Sequence, residues 1–293
     1  MENVDKCPIC GSPEHALAVT AVDHTVSHDR FAIHACKQCG FHFTTPRPTQ
    51  QEIGAYYLSK DYISHEAKAH GLRDRIYHLV RKRAIRGKHQ LIARHQPSGT
   101  ALDVGCGTGD FLAYLRDCGY AVQGVEVSDQ ARAVADSKGL QVAPNLEHLK
   151  AGTFDLITLW HVLEHVEDPR HTLQQLHDRC AHNGLLVIAV PDRESWDSQH
   201  YGPQWAAWDV PRHLSHFRRT DIKRLLGEVG FTFLESRKMW FDAPYVCMLS
   251  EQYRGAGQLS SMVKGALSGF QSNLVSMTSK RPTSSTLYLA KRA

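Results

Sequence analysis

The stretch GTALDVGCGTGDFLAYL, residues 99–115, limits this chain more than any other. ALDV reads as a buried strand, GCGTG as a glycine turn, and DFLAYLRDCG as an amphipathic helix leaving that turn. The strand–turn–helix order reads as an α/β unit with a ligand at the carboxyl end of its strand. A nicotinamide fingerprint would run G-x-G-x-x-G, with a pyrophosphate over the helix N-terminus. Here the glycines are Gly105, Gly107 and Gly109, and position 110 is Asp. An acid at the helix entrance repels a pyrophosphate, whereas bare glycine backbone lets an uncharged ribose or a short zwitterionic chain approach closely. The next strand, within YAVQGVEVS, ends in Glu126, about 20 residues on, where a carboxylate accepts from ribose hydroxyls.

Asp103 before the glycines, Glu126 at the second strand tip, a third strand at about Leu140–Ala143, and LWHVLEHVEDP at the end of a fourth stand in a set order. Together they resemble the class I S-adenosylmethionine-dependent methyltransferases over roughly residues 99–238. The resemblance implies a seven-stranded, Rossmann-like, doubly wound sheet closed by an antiparallel hairpin. By position it implies that Gly105, Cys106, Gly107 and Gly109 line the methionine and ribose part of S-adenosylmethionine. Asp103 would support that loop and the cofactor's amino group. Glu126 and Val127 would meet the ribose, Leu146 within Asn145–Glu147 the adenine, and His161 the methionyl end.

HVLEH, His161 to His165, also matches H-x-x-E-H, the inverted zinc-protease signature. That chemistry needs a helix carrying both histidines on one face. TFDLITLW before it reads as a strand, and Pro169 after it starts a new helix but cannot continue an old one. The protease reading is therefore rejected, and the histidines are expected at the fourth strand's carboxyl end.

Cys7, Cys10, Cys36 and Cys39 form two C-x-x-C pairs, each followed by a glycine that permits a tight knuckle. Four thiolates around Zn²⁺ make a closed structural site, so residues 1–45 are expected to be a zinc ribbon. Redox pairs or ordinary buried cysteines are the other readings; the remaining cysteines read as small core residues. Residues 46–98 are expected to be a helical linker or lid. They include a short amphipathic helix after Thr49 and a long one over 72–96, whose basic face carries Arg73, Arg81, Lys82, Arg83 and Arg86. Residues 99–293 would form the cofactor-binding domain, interrupted at about 240–279 by an apolar helical insertion. That insertion is suited to roofing an acceptor pocket or resting on a membrane surface, with packing against the fold the plainer expectation.

The segment 196–217 holds Trp196, Trp205, Trp208, His200, His213 and His216, a composition suited to the aromatic walls of a small-molecule pocket. DVPRHLSHF, with the ribbon, is similar to the sugar C-methyltransferases, and that resemblance puts a catalytic histidine at His213. Pro211 and Arg212 depart from the family's pattern, and its C-terminal sugar-binding domain has no counterpart. The core also resembles the ubiquinone-pathway O-methyltransferases, which lack a ribbon. His165 is the rival base. The expected activity is methyl transfer to oxygen or carbon of a small acceptor, with a saccharide or secondary-metabolite precursor as candidates. The alternative is a zinc-ribbon enzyme modifying RNA or protein through the basic helix. Net charge of +4 is too small to argue for nucleic acid by itself, and no apolar run spans a bilayer, so a cytoplasmic protein is expected.

Overall fold

The structure, a computed structural model, describes residues 1–57, 72–150 and 152–293, with the side chains of residues 72–81 outside that description. The chain opens with β1 (His15–Val22), β2 (Arg30–Cys36) and β3 (His42–Thr44), an antiparallel meander. A 3₁₀ turn at Ile53–Tyr57 follows, and the rest of the amphipathic helix expected from Thr49 lies outside the described residues. Helix α1 (Leu72–Ile92) ends four residues short of the expected 96; the positions of Arg73 and Arg81 fall among the undescribed side chains. Lys82, Arg83 and Arg86 are exposed on it, while Ile92 is buried.

From there strands and helices alternate: β4 (Thr100–Val104), α2 (Asp110–Asp117), β5 (Ala121–Val125), α3 (Asp129–Ser137), β6 (Val142–Ala143), β7 (Phe154–Trp160), α4 (Pro169–Arg179) and β8 (Cys180–Pro191). The order is what apolar strand runs and amphipathic helices dictate, since each helix can bury its apolar stripe only against a sheet face. Then come α5 (Trp196–Tyr201), β9 (Ser215–His216), α6 (Arg219–Glu228), β10 (Phe231–Lys238), α7 (Asp242–Tyr253), α8 (Gln258–Thr278) and β11 (Ser285–Arg292). The seven-stranded sheet runs β10-β11-β8-β7-β4-β5-β6. Its β6, β5, β4, β7 and β8 pair in parallel, and β11 lies antiparallel between β8 and β10. The expected sheet and its hairpin are both present. Leu102, Leu156, Ile157, Leu159, Leu186 and Val187 form its buried centre.

The ribbon is not a separate bead. Its β3 pairs with β9 of the second half, His42 opposite His216 and Phe43 opposite Ser215, giving a four-stranded sheet β1-β2-β3-β9. Phe41 packs against Phe217 at 5.5 Å between ring centroids, and both are fully buried.

Trp205 and Trp208 are nearly fully buried in a cluster with Ala21, Phe31 and Ile33 of the ribbon, and line a small cavity with Asp209 and Arg212 rather than an open acceptor pocket. Their indole N–H groups are satisfied internally, by Asp197 at 2.7 Å and by the Gly202 carbonyl at 2.8 Å. The insertion is a hairpin of α7 and α8 that packs with its small residues, not its large ones. Ser261, Gly265, Gly269, Ser272 and Ser276 face inward, because an added Cβ at Gly265 would lie 2.4 Å from the Met248 Cα. Such close backbone approach pushes Leu259, Val263, Leu267, Phe270 and Met277 outward, where each is more than half exposed.

Candidate functional site

At the ribbon, Cys7 Sγ lies 3.6 Å from Cys39 Sγ, and Cys10 Sγ lies 3.4 Å from Cys36 Sγ. All four sulfurs fall within 4.8 Å of one another. A tetrahedron with metal–sulfur bonds of about 2.3 Å has edges of about 3.8 Å, so the donor set fits Zn²⁺. Each knuckle is closed by a glycine in the left-handed region, Gly11 and Gly40, both at φ 73°. Their N–H groups donate to the Cys7 and Cys36 carbonyls at 2.9 Å.

The glycine turn sits between β4 and α2 at the carboxyl edge of the sheet. Gly105 and Gly109 are there for packing: an added Cβ would come 2.4 Å from Val162 and from Leu140, respectively. Gly107, at φ 55°, is different, since its missing Cβ faces open space. That opening is a cradle for a ligand approaching the backbone. Glu126 stands beside it, one carboxylate oxygen accepting from the Gly107 N–H at 2.8 Å and the other from the Ser128 N–H at 2.9 Å. A carboxylate has further lone pairs for ribose hydroxyls. Val127 is 81% exposed next to it, an apolar side chain held at the lip.

Asp103 is turned inward, accepting the Thr158 hydroxyl at 2.6 Å across the β4–β7 pair. Burial pushes its carboxyl up to about 7, against the Thr158 bond and the positive Lys88. The Cys106 thiol also points into the sheet, toward Gly124, and burial raises it to about 12, which leaves it inert. Asn145 caps the turn Leu146–His148, and Leu146 packs against the core beside the lip. Asp110 pairs with Lys138 at 2.7 Å, so a lysine offsets the acid at the helix entrance and its repulsion of a pyrophosphate is weaker than the sequence alone implies.

HVLEH leaves β7 as a turn, with a 3₁₀ segment at Leu163–His165 in place of the long helix a protease needs. His161 sits at φ 56°, a conformation costly for a residue with a Cβ. It is clamped there between Glu164 at 3.2 Å and Asp242 of α7 at 3.4 Å. Burial acts against its charge, but the hydrogen bonds and charges of Asp242 and Glu164 raise its pKa to about 9.

His165 and His213, 48 positions apart, come together with ring centroids 4.6 Å apart. The Leu214 N–H donates to the Glu164 carbonyl at 2.8 Å, which fastens the two segments. Nδ1 of His165 faces the Arg212 carbonyl at 3.1 Å, and Nδ1 of His213 the Ala207 carbonyl at 2.9 Å. A carbonyl only accepts, which favours the hydrogen on each Nδ1 and the lone pair on each Nε2, although the Tyr57 hydroxyl shares Nδ1 of His165 at 3.0 Å. Burial and the neighbouring His213 lower His165 to about 4. Thus the structure brings His161, His165 and His213 to one edge of the sheet. Tyr57, Asp209 and Asp242, which also touch these histidines, went unnoticed in the sequence. Only their tertiary contacts mark them: Tyr57 hydroxyl to His165 at 3.0 Å, and Asp209 to His213 at 3.9 Å.

A family profile described as "Methyltransferase domain" matches residues 76–236, more than half of the chain. An uncharacterized protein of Methanocaldococcus jannaschii is 24% identical over 155 residues, 52% of this chain and 74% of that protein. The ubiquinone biosynthesis O-methyltransferase of Paraburkholderia xenovorans is 35% identical over 137 residues, 43% of this chain and 59% of that enzyme. That of Cupriavidus pinatubonensis is 25% identical, covering 48% of this chain and 63% of that enzyme. The chain therefore spans only about three fifths of these curated O-methyltransferases' length. Among solved structures, magnesium protoporphyrin IX methyltransferase from Synechocystis with bound SAH shares the fold, with a TM-score of 0.53 at 14% identity. That match covers 82% of this chain and 98% of that one.

Proposed function

The chain belongs to the methyltransferase domain family and is an S-adenosylmethionine-dependent enzyme, and from that premise we propose that it methylates an oxygen or acidic carbon of a small molecule. The observation that carries this reading is the pair His165 and His213, whose rings lie 4.6 Å apart beside the strand tip, each with Nδ1 facing a backbone carbonyl. S-adenosylmethionine supplies an already activated methyl group, so the protein's task is alignment and removal of the acceptor's proton.

Gly107 gives the cofactor a bare backbone cradle in a turn that Gly105, Cys106 and Gly109 hold against the fold, and Glu126 takes its ribose hydroxyls beside Val127 while Leu146 borders the adenine. Asp103 stiffens the cradle through Thr158 rather than meeting the amino group itself. His161, held positive by two acids, orients the methionyl end. His213 takes the acceptor's proton on Nε2, with Asp209 at 3.9 Å stabilising the imidazolium that results. His165 is the alternative proton acceptor. A saccharide or a secondary-metabolite precursor supplies the acceptor hydroxyl or acidic carbon.

The test is incubation of the full chain and cofactor with a metabolite extract, read as a mass gain of one methyl group. A gain confined to RNA or protein fractions would instead favour the exposed Lys82, Arg83 and Arg86 as the docking face.

A further inference from the structure

Glu164, His165 and His213 each offer a ligand atom within 4.8 Å of the others. They are not the H-x-x-E-H set, since the two ring nitrogens of His161 are engaged by Glu164 and Asp242. An ionised carboxylate only accepts, and each neutral imidazole keeps one acceptor nitrogen. Nδ1 of His213 faces the Ala207 carbonyl at 2.9 Å, and Nδ1 of His165 lies between the Arg212 carbonyl at 3.1 Å and the Tyr57 hydroxyl at 3.0 Å, so the carbonyls favour the hydrogen on Nδ1 and leave Nε2 the acceptor. One oxygen of Glu164 is taken by His161 at 3.2 Å, while Oε2 is buried with no hydrogen-bond partner among the described residues. The Glu164 side chain is 1% exposed, so water does not serve it freely. An unpaired buried carboxylate oxygen is unfavourable, because nothing replaces the water it has lost. Two imidazoles and a carboxylate oxygen without a donor, gathered this closely, suit a cation among them.

We propose that Glu164, His165 and His213 hold a divalent first-row metal ion, a second metal site distinct from the four cysteines of the ribbon. The surroundings match what such ligands require. A metal-binding histidine characteristically donates its other N–H to a carbonyl or carboxylate, which fixes tautomer and ring orientation. Here the Arg212 and Ala207 carbonyls do so for both rings, and His161 orients the carboxylate. The Leu214–Glu164 backbone bond at 2.8 Å holds the two ligand segments in place before any ion arrives. Two imidazoles and one carboxylate suit Zn²⁺, Fe²⁺ or Co²⁺, and leave positions open for a further ligand. An acceptor hydroxyl bound there would be acidified by the ion, which would then replace a free His213 as the means of activation. That use rests on the acceptor reading given above; the binding of the ion does not.

The experiment is a Co²⁺ titration of the full chain, its ribbon loaded with zinc, followed by calorimetry and visible absorption without acceptor or cofactor. The expected result is one Co²⁺ per chain beyond the ribbon zinc, with imidazole-type bands and no thiolate charge transfer. In His213→Ala and in Glu164→Gln the affinity should fall by about a hundredfold or more. Retention of the ribbon zinc, with its Co²⁺-silent thiolates, shows that a variant is folded; if Glu164→Gln fails that check, His213→Ala decides. No cobalt beyond the ribbon in the wild-type chain would overturn the proposal. So would cobalt bound equally well by the folded variants. Because neither acceptor nor cofactor is present, a wrong acceptor assignment leaves this result unaffected.

Discussion

Arg212 reaches across 189 positions of sequence to Asp23, its Nη2 lying 3.0 Å from Oδ1, with both side chains removed from solvent. The same guanidinium bonds Asp209 at 2.7 Å and the Tyr56 carbonyl at 2.9 Å. It therefore ties the ribbon's β1–β2 loop to the segment that carries His213. Pro211 and Arg212, which break the sugar C-methyltransferase pattern, have a structural reason to be there in the arginine's case.

Breaking a buried pair leaves the other charge uncompensated, at a cost of about 3–5 kcal/mol. Asp23→Asn should lose stability of that order at neutral pH, measured by urea unfolding. Burial acts to raise the Asp23 pKa, but the Ser27 N–H and the Arg212 guanidinium overcome it and hold the carboxyl well below its ordinary 3.8. A depressed carboxylate contributes stability above its unfolded pKa and loses it as pH falls through the folded one. The difference between wild type and Asp23→Asn should therefore shrink steadily below about pH 4. A constant difference down to the acid transition would show that Asp23 is not the titrating group.

Cys36→Ser removes one of four thiolates and should release the ribbon zinc to a mild chelator. Structural zinc couples directly to folding, and Phe41 and Phe43 belong to the main core. Loss of the ion should thus lower the melting temperature of the whole chain. Zinc content unchanged in this variant would remove the metal from the ribbon.

S-adenosylmethionine at a hundredfold excess over its dissociation constant should add about 2.7 kcal/mol to stability, while NAD adds nothing. Glu126→Ala removes charge-assisted bonds worth about 1.5–3 kcal/mol, weakening calorimetric affinity by roughly 10- to 150-fold. Glu126→Gln keeps one acceptor oxygen for the Gly107 N–H and should lose less. Equal affinity in all three proteins would place the ribose elsewhere.

His213→Ala should lower turnover by about 10²–10⁴-fold and leave cofactor affinity within about twofold. Nearly normal turnover here, beside a large loss in His165→Ala, would transfer the role to His165. A large fall in melting temperature without a specific loss of rate would reduce His213 to its bond with Ala207.

The α7–α8 hairpin gives a test independent of chemistry. Gly265→Val forces a Cβ to within 2.4 Å of the Met248 backbone, and overpacking of this kind costs at least about 1–3 kcal/mol. Leu267→Gln, on the outward face at 66% exposure, should stay within about 0.5 kcal/mol of wild type. The reverse order would mean that the large residues, not the small ones, face inward.

Local sequence determined those features whose physics is local. The turn at Gly105–Gly109, the acid at Glu126, the two cysteine knuckles and the strand–helix alternation each follow from spacing along a few residues, and each is found. Pro169 ended HVLEH where it had to. What tertiary structure alone decided is where long-range neighbours fall. Trp205 and Trp208 read as pocket walls because aromatic content does not say what covers it; the ribbon covers them. Apolar spacing in 259–274 marked a helix but not its buried side, since close backbone packing at Gly265 and Gly269 outweighed the burial of leucine and phenylalanine. Asp103 turned inward because Thr158 stands opposite it in a neighbouring strand. Asp242, Tyr57 and Asp209 meet the histidines only through contacts between distant segments. Periodicity and turn chemistry act over one or two turns of chain, whereas burial and the pairing of buried polar groups are settled only when distant segments pack.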